Sequence, residues 1–97
     1  GIMKEKKLME KFFNMLGKEK NKIAYGLIEV KKALELGTVH TLFLSKKVEK
    51  PIAKELESMA EQTSTAIEHI SVDTEEGQQF YNLSGIGAIL RFAMHTN

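Results

Sequence analysis

The chain has 97 residues, enough for one hydrophobic core and too few for two. Its 14 basic and 13 acidic side chains nearly cancel to a formal charge of +1, which supplies no net field to gather nucleic acid or an anionic membrane. There is no cysteine, so a disulfide framework and a thiolate zinc site are excluded.

Residues 4–17 carry Leu8, Met9, Phe12, Phe13 and Leu16 at helical spacing, one apolar stripe with lysine and glutamate opposite. Gly17 is the expected stop. A polar connector leads to a short strand, Ile23-Ala24-Tyr25, ahead of Gly26. A second helix is predicted over 27–36, and Gly37 sits where helices end in the left-handed conformation. Residues 39–44 are β-branched and aromatic and read as a strand. Pro51 suits the first turn of a third helix, where its missing N–H has no partner to lose; that helix carries Ile52, Ala53, Leu56, Met59 and Ala60. A third core strand is predicted over 66–72. The acidic residues Glu75 and Glu76 complement the dipole at the start of a helix over 75–83.

After the turn at Ser84-Gly85 comes an apolar run over 86–92, too short for a buried helix. It reads as a strand covered on both faces, where alternation is not needed. Residues 93–97 are expected to be a frayed tail. The alternation of helices and strands predicts an α/β fold: one domain over 1–97 with a largely parallel or mixed sheet and helices on both faces. No apolar stretch approaches the roughly 20 residues needed to cross a bilayer. The start lacks a signal-peptide core, so export and membrane insertion are not expected.

Residues able to do chemistry are few. His40, His69 and His95 are scattered, and none has a histidine one helical turn away, so converging metal ligands are not expected. Glu75 and Glu76 are helical neighbours about 100 degrees apart and do not converge on one substrate atom. Gly85-x-Gly87 follows a helix and opens a strand, the reverse of the order that turns helix N–H groups toward a phosphate; its expected role is a tight turn. The lysines gathered in the first half are mostly interleaved with glutamates, as on a solvated face. Phe12 and Phe13 cannot point the same way on a helix. Either one packs inward while the other widens an apolar surface, or the core covers both.

Three blocks carry a resemblance that spans nearly the whole chain. They are Glu5-Lys6-Lys7-Leu8-Met9-Glu10-Lys11-Phe12-Phe13, Tyr25-Gly26 with Val30-Lys31-Lys32-Ala33-Leu34-Glu35-Leu36-Gly37-Thr38-Val39, and Glu75-Glu76-Gly77-Gln78-Gln79-Phe80 through Gly85-Ile86-Gly87-Ala88-Ile89-Leu90-Arg91-Phe92. Together they resemble the C-terminal, third domain of the class I peptide chain release factors of archaea and eukaryotes. The resemblance implies a three-layer α/β/α sandwich, L30e-like, with about four strands in a mixed sheet. It also implies a non-catalytic docking module of translation termination in the cytoplasm, without cofactor or metal. Its implied partners are the translational GTPase, the ribosome-recycling ABC-type ATPase and the ribosome, with no sequence-specific nucleic acid and no membrane. The GTPase contact carries over onto Met9, Phe13 and Leu16, apolar positions of the first helix.

The departures from the family's pattern are specific. Gly77-Gln78-Gln79 has one glycine where the hydrolysis motif of the family's central domain has two. Leu44-Ser45 runs to Pro51 with no room for the minidomain often inserted there, and Ser84-Gly85 replaces a glycine pair. The short form is shared by the paralogous rescue factor Pelota, whose third domain is the alternative reading. A stand-alone L30e-like RNA-binding domain is another. A small enzyme would need a nucleophile–base pair or convergent acids, and the sequence supplies neither.

Overall fold

The computed structural model describes residues 2–93, so most of the expected tail, with His95, lies outside the described residues. The elements are α1 (Ile2–Lys18), a 3-10 turn (Lys20–Lys22), β1 (Ile23–Tyr25), α2 (Leu27–Glu35), β2 (Val39–Ser45), α3 (Lys50–Gln62), β3 (Ala66–Ile70), α4 (Glu75–Leu83) and β4 (Ile86–Leu90). The strands lie in the order β1-β4-β2-β3. β4 runs antiparallel to both β1 and β2, and β2 runs parallel to β3. The sheet is therefore mixed, with one parallel pair.

The last strand in sequence occupies an interior place, and that position explains its composition. Every residue of β4 is buried. Ile86, Ala88 and Leu90 join Leu42, Leu44, Val30, Leu34, Leu56 and Ala60 in the cluster under α2 and α3. Ile89 turns to the other face and joins Phe43, Ile70, Met9, Phe12, Met15 and Phe80 under α1 and α4. Helices on both faces of one sheet complete three layers, as the alternation of elements anticipates.

A β-bulge adjusts this packing. Val39 pairs with Leu90 and Thr41 with the next residue, Ile89, which leaves His40 as an extra residue. The extra step lets Val39 share the α2–α3 cluster with Leu42 despite the odd spacing between them. Val39's carbonyl then accepts from the Thr65 hydroxyl at 3.1 Å and from Arg91 Nε at 3.0 Å. Arg91 Nη2 reaches the Thr63 carbonyl at 3.0 Å, pinning the end of α3 to the start of β2.

Three boundaries differ from the sequence reading by two residues. α1 begins at Ile2 rather than residue 4. β3 is an edge strand in which Ile70 alone is buried, and it stops there instead of continuing to 72. The Glu5 carboxylate accepts the Ser71 N–H at 2.7 Å and draws the backbone out of the ladder. β4 ends at Leu90; the Arg91 N–H still donates to the Thr38 carbonyl at 2.8 Å, its side chain reaches across to Val39 and Thr63, and Phe92 is left exposed. Replacement of the buried Ile89 with alanine is expected to cost about 2–5 kcal/mol in a denaturant melt. A loss far below that range would contradict burial of β4 on both faces.

Candidate docking surface

α1 is seated by one aromatic ring. Phe12 is fully buried, and its ring meets those of Phe43 and Phe80 edge-on, with centroids 5.7 and 5.4 Å away, the geometry aromatic quadrupoles prefer. The ring lies directly over Gly87. A Cβ at that position would sit 2.7 Å from Phe12 Cε1, closer than real side chains approach, and a tight 3.0 Å from Phe80 Cε1. Gly87 has an ordinary extended backbone, whereas its neighbour Gly85 takes a left-handed φ of 75°. Only Gly85 therefore serves the turn read from the sequence. Gly87 is glycine because a ring occupies the space of its side chain.

Fixing Phe12 fixes the rotation of α1. Met9 and Met15 lie three residues to either side of Phe12, so both fall on the same inward row and both are buried. Phe13, about 100 degrees further round, comes to the rim with Leu16, and both are half-buried against the core. Its ring stands edge-on to Phe12 at 5.5 Å. Of Met9, Phe13 and Leu16, onto which the GTPase contact carries over, Met9 has no accessible side-chain area. Phe13 and Leu16 remain as a half-open apolar rim.

The other residues singled out in the sequence take structural places. His69 Nε2 lies 2.6 Å from Glu57 Oε2, tying β3 to α3, and His40 is exposed at the bulge with Nδ1 2.8 Å from the Thr41 hydroxyl. Among the described residues, no three His, Cys, Asp or Glu side chains are grouped to hold a metal ion. Glu75 and Glu76 open α4, where the Thr74 hydroxyl accepts the Gly77 N–H at 2.9 Å. Gly77 abuts the Ser71 carbonyl, leaving no room for a side chain. A lone glycine inside a predicted helix was the available signal of this contact.

One concave surface was not read from the sequence. A groove of about 820 Å³ runs between α2, β1 and the 3-10 turn, with Ala24, Tyr25, Ala33 and Leu36 among its lining. Its residues come from separate segments, and the only hint was exposed apolar side chains such as Leu36 at a helix end. Among the described residues no helix is long and apolar enough to cross a membrane.

Comparison with known proteins adds to this geometry. The chain is 34% identical over 137 aligned positions to peptide chain release factor subunit 1 of Thermococcus onnurineus, covering 93% of this chain and 33% of the relative. It is 34% identical over 98 positions to the protein pelota homolog of Pyrococcus abyssi, covering 97% and 27%. The chain thus spans a third or less of these relatives' length. Its fold matches the C-terminal domain of a Methanosarcina mazei peptide chain release factor with a TM-score of 0.86, at 24% identity over 94% of this chain and 83% of that one. It matches S. cerevisiae Dom34, described as a translation termination-like factor interacting with Hbs1, with a TM-score of 0.83 at 30% identity, covering 97% and 28%. A model of ribosome-bound archaeal Pelota and ABCE1 matches with a TM-score of 0.80 at 25% identity, covering 96% and 27%. Residues 2–94 match the family described as eRF1 domain 3, and with a mixed four-stranded sheet between two helical layers the chain belongs to that family of translation termination factor domains.

Proposed function

We propose that the chain is a non-catalytic docking domain of a termination factor. It binds a translational GTPase through the α1 rim during stop-codon-dependent peptide release, and the recycling ATPase of the ABC class at a later stage. One observation carries the reading: Phe12 anchors α1 so that the adjacent Phe13 is held half out of the core beside Leu16. A preorganised aromatic at a helix rim is the kind of anchor that dominates protein interfaces. The interaction of the related Dom34 with Hbs1, and the ribosome-bound assembly of archaeal Pelota and ABCE1, support a protein-docking role on the ribosome, and so a cytoplasmic one.

In this reading the whole chain is one domain without the inserted minidomain. The link from β2 to α3 is a tight turn in which the Val48 N–H donates to the Ser45 carbonyl at 3.1 Å. The release-factor match runs to 137 positions, well beyond the length of this chain, as an insertion in the relative would produce. That contrast also favours a second reading, the third domain of a Pelota-type rescue factor, whose match needs only 98 positions. The two are separated by the domain that precedes this one in the native gene product, where a Gly-Gly-Gln motif selects termination.

Replacing Phe13 with aspartate is expected to weaken binding of the partner GTPase by about tenfold or more while leaving the thermal melt two-state. Unchanged affinity in a pull-down titration would remove α1 from the interface. The isolated chain is expected to show no peptidyl-tRNA hydrolysis, and turnover that survives repurification would overturn the docking reading.

A further inference from the structure

A net charge of +1 conceals an uneven distribution along α1. Lys4, Lys7, Lys11 and Lys18 recur at spacings of three, four and seven residues, and all four are exposed. This spacing places them on one line along roughly 21 Å of helix axis. Lys4, Lys7 and Lys11 line a shallow groove of about 500 Å³ with Met3 and Leu8. Lys4 lies 3.7 Å from the Glu68 carboxylate. Among the described residues Lys7, Lys11 and Lys18 have no ion-pair partner. Like charges one turn apart cost helix stability, so the row is set against the domain's own folding unless something outside neutralises it.

We infer that this lysine row binds an RNA phosphate backbone without reading its sequence. Charge complementarity identifies a polyanion, and the geometry selects RNA over an acidic protein segment. The cations form one extended row, stepping by about 4.5, 6 and 10.5 Å along the axis, which suits the successive charges of one strand. The groove that three of the lysines line is shallow and carries only Met3 and Leu8 as apolar lining, little to hold a partner side chain. No aromatic side chain lies on the row, so it offers no stacking platform for bases and contacts only backbone. Phe13 lies about 160 degrees around the axis from Lys11. The row is thus separate from the rim assigned to the GTPase, and the inference does not rest on that assignment.

The test is fluorescence anisotropy of a short RNA hairpin titrated with this chain across a series of salt concentrations. It is repeated with the variant Lys7→Gln, Lys11→Gln, Lys18→Gln, and circular dichroism confirms that both fold, since glutamine keeps helix propensity close to that of lysine. The parent chain is expected to bind hairpins of unrelated sequence alike. The variant is expected to bind about tenfold or more weakly, with the slope of log affinity against log salt reduced by about 2. Equal affinities and slopes for parent and variant would overturn the inference, as would no binding by the parent at low salt. Tighter binding of polyglutamate than of RNA, lost in the same variant, would assign the row to an acidic protein and overturn it equally.

Discussion

The contact of the Phe12 ring with the bare backbone of Gly87 sets the arrangement of the α1–α4 layer. An amphipathic helix can roll on a sheet at modest cost as long as its apolar stripe stays covered. A ring inserted where one strand residue lacks a side chain removes that freedom, because any roll drives the ring into Ile89 or Phe80, its neighbours in the same cluster. With the roll fixed, each remaining position on α1 has a defined role. Met9 and Met15 fill the core, Phe13 and Leu16 line one rim, Glu5 reaches Ser71 at the end of β3, and the lysines point away.

The sheet supports that seat from below. β4 carries glycine at 87, where the Phe12 and Phe80 rings approach, and fills the two core clusters with Ile86, Ala88 and Leu90 on one face and Ile89 on the other. Its hydrogen bonds run to strands on both sides, which satisfies a backbone that has no access to water. At the far end of β2 the His40 bulge would leave the Val39 carbonyl without a ladder partner. Thr65 and Arg91 supply donors from two other segments. The apolar layer and the polar staple thus meet around the same pair of central strands.

Much of this was legible in the amino-acid order. The helices and strands follow from periodicity, the left-handed Gly37 from its place after an apolar stripe, and the buried last strand from an apolar run too short for a helix. What escaped depends on contacts between distant segments. Gly87 looks like turn chemistry beside Gly85, and only the arrival of Phe12 from the other end of the chain shows that it is a steric vacancy. Met9 and Phe13 are equivalent as apolar helix residues until Phe12 picks the inward direction. β3 looks like a core strand by composition, yet strand order places it at the edge, where Glu68 and His69 belong. The α2–β1 groove has little local signal beyond the apolar Leu36 at a helix end, because its lining comes from separate segments.

The account depends most on Phe12 occupying the space a side chain at Gly87 would need, and a double-mutant cycle measures that directly. Gly87→Ala alone is expected to destabilise the chain by about 1–3 kcal/mol through overpacking. In a Phe12→Leu background the same alanine is expected to cost far less, giving a coupling energy of about 1 kcal/mol or more. Equal penalties in the two backgrounds would contradict the account, because glycine would then be present for a reason other than the ring.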